Sequence, residues 1–208
     1  MKIKAIETTR SPMGKVRLRF DDGSTMLVLP SVVGELSLYS GLELSEADLA
    51  SLEESCAQAS ARDRAVRIIS AVPVTKKELE HRLIQKGERE DHARAAVEWL
   101  DSLHLLNDQQ VAESIVRSGA AKGYGASRIR QMLYEKRVPK ELWDAALEKL
   151  PPREDAMDRF LQKRFQGRKP DPAECRRAAN ALARRGHSWS DIQAALERYA
   201  PDEDFTED

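Results

Sequence analysis

A chain of 208 residues, 41% hydrophobic and 33% charged, with a net charge of −1, is long enough for one or two ordinary cores or a row of small modules. No apolar run approaches the roughly 20 residues that span a bilayer, and Met1 to Arg10 lacks the apolar segment of a secretory signal, so the expected setting is the cytoplasm without membrane contact. Cys56 and Cys175 stand far apart with no CxxC, which excludes a disulfide framework or a zinc site, and an aromatic content of 5% leaves few platforms for stacking on bases.

The first sixty residues read differently from the rest. Lys2 to Thr8 and Lys15 to Pro30 alternate, with Val16, Leu18 and Phe20 before Asp22-Gly23 and Met26 and Val28 after it, a β-hairpin signal. A lone hairpin is marginal in water, so its apolar face is expected to pack on the following segment, Val32 to Leu44, or on the first repeat. Ser45 followed by Glu46 and Asp48 opens a helix that runs towards Cys56 or beyond.

From residue 61 the pattern repeats. ARAAVEWL at 93–100, WDAALEKL at 143–150 and IQAALERY at 192–199 align at shifts of fifty and forty-nine residues. Upstream, Leu79, Ile129 and Ala178 coincide, then Leu83, Leu133 and Leu182, then Lys86, Lys136 and Arg185. One such unit cannot bury its own apolar stripe, so the expected fold is mainly α: three tandem three-helix repeats stacked into an elongated curved array, with a small N-terminal β-hairpin segment. The expected divisions are a hairpin and helix over 1–60, repeats over 61–106, 107–152 and 153–199, and an acidic tail over 200–208.

Within repeat 1 a helix from about Arg62 ends near Pro73, Thr75 and Glu78 form a capping box, and Gly87 closes the second helix before a third from about Glu90 to Leu103. Repeat 2 starts its first helix after Asn107 and Asp108, breaks at Gly123-Tyr124-Gly125, and places Pro139 in the first turn of its third helix, with Pro151 and Pro152 ending the unit. Repeat 3 has Gly167, Pro170 and Pro172 between helices, Gly186 closing the second helix, and Ser188 with Asp191 capping the last.

Charge is segregated along the chain. Arg117 to Lys140 carries +6, from Arg117, Lys122, Arg128, Arg130, Lys136, Arg137 and Lys140 against Glu135; Arg153 to Tyr199 carries +4 and Ala200 to Asp208 −5. The tail is either a solvated end or an electrostatic competitor for the basic surface.

The stretch Arg117 to Arg130 is the most informative, because two glycines bracket Tyr124 and cations flank them. Lys122-Gly123-Tyr124-Gly125, then Arg128-Ile129-Arg130 and Leu133, resemble the turn of the RecX family of bacterial recombinase regulators. Arg64 to Ile69 with Lys77-Glu78-Leu79 resembles that family's first repeat, and Leu106-Asn107-Asp108 its link into the second, so the resemblance covers nearly the whole chain. Ala126, Gly119 and the run Asn107, Gln109, Gln110 depart from the family pattern.

The resemblance implies a monomeric regulator that binds the RecA recombinase, lies along its filament on single-stranded DNA, meets that DNA through the filament, and mainly inhibits the recombinase in recombination and the damage response. It implies no catalysis. The expected partner-binding residues are Arg117, Lys122, Tyr124, Arg128, Arg130, Lys136 and Arg137. Their cations suit either acidic recombinase surface or phosphates, and Tyr124 either an anchor on the repeat core or an exposed contact.

Gly123-Tyr124-Gly125 is too short to cradle a phosphate, and the chain holds no GxxxxGK[ST] and no strand-linked GxGxxG. His81, His92, His104 and His187 lack metal-ligand spacing, and Trp99, Trp143 and Trp189 fall where third helices pack. No catalytic residue, metal or cofactor is therefore expected. The alternative is an autonomous DNA-binding protein of helix-turn-helix-like repeats, suggested by the tight turns at Gly87 and Gly186 and weakened by the distribution of charge along the chain.

Overall fold

A computed structural model of the chain describes residues 1–10, 14–150 and 153–199. The expected acidic tail and the prolines at 151 and 152 lie outside the described residues. The chain divides into two units, Met1–Leu106 and Asn107–Asp208, and none of the helices among the described residues is long and apolar enough to cross a membrane.

The first unit opens with β1 (Ile3–Thr8), β2 (Val16–Phe20) and β3 (Thr25–Val28), an antiparallel sheet in the order β1-β2-β3. The Asp22-Gly23 turn joins β2 to β3 as a hairpin, and β1 extends it to three strands, with Leu18 paired to Ile6 on one side and Met26 on the other. Alternation then decides which face is dry: Ile3, Leu18, Phe20 and Val28 point inward, while Arg17, Arg19 and Leu27 point to water. The dry face is covered by Val32 of α1 (Pro30–Glu35) and by Leu38, Leu44 and Leu52.

The helix opened by Ser45 does not stop near Cys56. α2 runs unbroken from Glu46 to Ala71 behind a complete Ser45/Asp48 capping box. The boundary expected at residue 60 and the separate helix start near Arg62 therefore fall inside one helix. The reason is that α2 serves two cores. Its first half packs Leu49, Leu52, Cys56 and Ala59 on the sheet, and its second half gives Ala61, Ala65 and Ile68 to the first repeat.

That repeat is completed by α3 (Lys76–Gln85) and α4 (Glu90–Ser102), whose core includes Leu79, Leu83, Ala96, Val97 and Leu100. Thr75 caps α3 by accepting from the Glu78 N–H, while the Glu78 carboxylate takes a 2.7 Å hydrogen bond from Arg82. In the second unit, α5 (Asp108–Ala121), α6 (Ala126–Glu135), a 3-10 turn at Lys140–Leu142 and the short α7 (Trp143–Leu147) form one core around Val116, Ile129, Leu133 and Ala146. α8 (Arg153–Phe165), α9 (Pro172–Arg184) and α10 (Trp189–Glu197) form another around Met157, Leu161, Phe165, Leu182 and Leu196.

Equivalent positions do equivalent work. Of each Ala pair, only the second member is buried: Ala96, Ala146 and Ala195. Leu83, Leu133 and Leu182 are fully buried and also close their helices, because their carbonyls accept from the N–H groups of Glu88, Val138 and His187 in three matching Schellman ends. Trp99, Trp143 and Trp189 each pack against the core of their own repeat. Cys56 is partly buried, and Cys175 is fully buried in the last core.

His92 is buried and its Nε2 lies 2.7 Å from Glu54 Oε1, fastening α4 to α2. Asp91 is close enough that the three side chains have metal-ligand proximity, but Arg89 reaches both carboxylates, at 2.5 Å to Asp91 and 3.4 Å to Glu54. The group is an internally bonded clamp. The hydrogen bond with His92, then that from Gln58, hold the Glu54 carboxyl below the usual carboxylate range. A carboxyl depressed on folding adds stability above its unfolded value of about 4.3, and that stability is lost as the pH falls through the folded value. Glu54→Gln is therefore expected to lower the melting temperature of the first unit at neutral pH. The gap from the wild type should close below the carboxylate range, and a gap that persists in acid would contradict this.

Candidate contact surface at the second repeat

α5 ends in a tight turn because Gly123, at φ +70°, adopts the left-handed conformation of a helix terminus. The Gly123 and Tyr124 N–H groups return to the Ala120 and Gly119 carbonyls at 2.9 and 3.0 Å. Gly119 lets α5 and α6 approach closely, since a Cβ there would lie 2.7 Å from Ile129 Cγ1. Tyr124 drops back onto the core of its own repeat and is half-buried.

The next residue joins two repeats. Gly125 is the N-cap of α6 and offers no side-chain cap. Its N–H donates to the Arg185 carbonyl at 2.8 Å, and the Ser127 N–H donates to the Gly186 carbonyl at 3.2 Å. Orphan donors at the start of α6 are thus satisfied by the carbonyls that follow α9, with the positive end of one helix dipole against the negative end of another. His187 Nε2 adds a hydrogen bond to the Gly123 carbonyl at 3.1 Å. A Cβ on Gly125 would overlap the Gly186 carbonyl, and one on Gly186 would overlap the Arg128 backbone nitrogen. Gly125 and Gly186 therefore allow backbone to meet backbone.

Around this junction stand the cations expected to touch a partner. Arg117 on α5, Lys122 at its C-cap, Arg128 and Arg130 on α6 and Lys136 at its C-cap are exposed, and Arg137 is half-buried. Lys122 and Arg128 flank the turn. Lys136 and Arg137 sit at the far end of α6, about 12 Å along the axis at 1.5 Å per residue. The cations thus form a strip rather than a single point. Among the described residues, the side chains of Lys122, Arg128 and Arg130 have no ion-pair partner, whereas Arg117 lies near Glu113, whose carboxyl is held low first by Lys149 and then by Gln109.

Two of these arginines occupy positions where helix physics favours another residue. At the third helical position, α2, α3, α9 and α10 carry Asp48, Glu78, Glu174 and Asp191, acids that suit the dipole and the free N–H groups. α6 carries Arg128 there and has no acid in its first turn. After the second helix of each repeat the left-handed residue is Gly87, Arg137 or Gly186, so only the second repeat places a side chain at that conformation, with φ +51°.

Residues 107–147, which contain this turn and α6, match the protein family described as RecX, second three-helix domain. The chain is 33% identical over 139 residues to the Regulatory protein RecX of Vibrio campbellii, an alignment covering 66% of this chain and 90% of that protein. The chain belongs to the RecX family. Another member, the Regulatory protein RecX of Stenotrophomonas maltophilia, is 34% identical over 143 residues, covering 67% of this chain and 86% of its own length. The fold is similar to a crystal structure of regulatory protein RecX, with a TM-score of 0.70 at 23% identity, over 94% of this chain and 98% of that one. The crystal structure of RecX from Lactobacillus salivarius gives 0.60 at 21% identity, over 70% and 97%.

In this RecX family member, Arg137→Gly is expected to raise the denaturation midpoint of the second unit, by about 1 kcal/mol of relieved left-handed backbone. A falling midpoint would show that contacts of the Arg137 side chain outweigh the backbone.

Two features escape a reading of the sequence. The partner of the Gly123-Tyr124-Gly125 turn is Gly186 and His187, more than sixty residues away and with no local signal. The exposed tyrosine of the second repeat is Tyr134 on α6, while the tyrosine of the motif is turned inward.

Proposed function

We propose that this chain is a non-catalytic regulator that binds the RecA recombinase and its filament on single-stranded DNA and lowers recombinase activity in the cytoplasm during recombination and repair. The observation that carries this reading is the strip of exposed cations on the second repeat. Its Arg128 stands at the third helical position, where helix stability alone favours an acid. Residues that break local rules in this way are characteristic of surfaces kept for a partner.

Membership of a family of named regulatory proteins agrees with it. Tandem repeats suit a polymeric target. Weak contacts to neighbouring protomers, once linked in one chain, act at high effective concentration, so a monomer can hold a filament without any single strong site. Lys122, Arg128 and Arg130 steer the approach, and binding weakens as salt rises. Tyr124 contributes by anchoring the turn.

The reading is tested by adding purified protein to RecA on single-stranded DNA and following ATP hydrolysis. The rate is expected to fall with protein concentration until it plateaus; an unchanged rate at saturating protein would remove the proposal.

A further inference from the structure

Among the described residues, Tyr134 is the most exposed of the large apolar side chains, at 63%. This is unusual in a chain so poor in aromatics. Phe20, Phe160, Phe165, Tyr199, Tyr124 and the three tryptophans are all packed against one of the four cores, and Tyr39 is the other exception. The repeat does not need a tyrosine there. At the same position, one residue after the buried Leu83, Leu133 or Leu182, the other repeats carry Ile84 and Ala183.

Tyr134 shares an exposed stripe of α6 with Ser127, Arg130 and Gln131, at spacings of seven, four and three residues. Its phenol hydroxyl has no hydrogen-bond partner among the described residues. Its backbone is fixed, because its carbonyl accepts from the Arg137 N–H at 2.9 Å in the turn that closes the helix. The ring thus projects from a fixed stretch of backbone, with Arg130 one turn below it.

We propose that Tyr134 is the aromatic centre of the contact surface on α6 and seats in an apolar pocket of an acidic protein surface, with Arg130 and Arg128 meeting carboxylates at the pocket rim. Tyr and Arg are the side chains that most often dominate protein interfaces, because they bury much area for few rotatable bonds. Charge complementarity gives the partner its acidic face. A nucleic-acid strand fits less well. Strands are held by successive stacking platforms, whereas α6 offers one ring and carries Glu135 held by Gln131. The inference rests on the recombinase reading above and identifies its central contact.

The test compares wild type, Tyr134→Ala, Tyr134→Phe and Tyr39→Ala for binding to RecA, to RecA on single-stranded DNA and to bare single-stranded DNA, with melting temperature as the check on folding. Tyr134→Ala is expected to melt like the wild type and to bind the recombinase at least about tenfold more weakly, while Tyr134→Phe and Tyr39→Ala bind within about twofold of wild type because the ring carries the effect. Wild-type protein that binds no recombinase overturns the parent reading and this inference together. Wild-type binding matched by Tyr134→Ala, or a loss confined to bare DNA, overturns the inference alone.

Discussion

Gly186→Ala is expected to destabilise the second unit by about 3 kcal/mol, the sum of about 1–2 for a side chain in the left-handed region and about 1–3 for overpacking. The site leaves no soft way out. A Cβ at Gly186 meets the backbone nitrogen, Cα and Cβ of Arg128, none of which can rotate aside, and φ is +83°. At about 4–8 °C per kcal/mol for a domain of about 100 residues, the transition should move down by about 12–24 °C. Gly87→Ala is the matched comparison, because Gly87 holds the same turn in the first repeat at φ +89° with nothing within 4 Å of the added methyl. It should cost only the conformational part, about 1–2 kcal/mol. Equal losses at the two positions would mean that α6 is not seated on the end of α9.

Reversing Arg128 and Arg130 together to Glu is expected to weaken binding to the recombinase at least about a hundredfold, since each reversal replaces an attraction by a like-charge contact worth a few kcal/mol. The fold should not suffer. Glu at position 128 restores the acid that α3 and α9 carry at the third helical position, so α6 should gain about 0.3–1 kcal/mol from the dipole. Lost binding in a protein that melts no lower than wild type assigns the effect to contact. Binding within a few-fold of wild type would move the contact surface elsewhere.

The repeats were legible because burial recurs at a fixed spacing. Leu83, Leu133 and Leu182 coincide in the sequence for a structural reason: each fills a core and closes a helix with its carbonyl. The capping signals at Ser45, Thr75, Asn107 and Ser188 were equally readable, since each cap is made with a residue three positions on. What failed was non-local. α2 changes the face it buries in mid-helix, so its apolar residues follow no single period, and the absence of Gly or Pro between Glu46 and Ala71 was the better guide to its continuity.

At the candidate surface, the sequence displayed the cations and the glycines but not their geometry. The Gly125–Gly186 approach and the Glu54–His92 clamp join residues tens of positions apart, and nothing local announces either. Tyr124 and Tyr134 each lie among cations in the sequence. Only packing separates them, one turned onto the core and the other into solvent.

The most direct test of the central claim, that this RecX family member acts by gripping a recombinase through its basic second repeat, is a pull-down with immobilised full-length protein against RecA alone, RecA assembled on single-stranded DNA, and bare DNA. The account predicts strongest capture of the assembled filament, little capture of bare DNA, and loss of filament capture on reversing Arg128 and Arg130. Salt-sensitive capture of bare DNA that exceeds capture of the filament would contradict it.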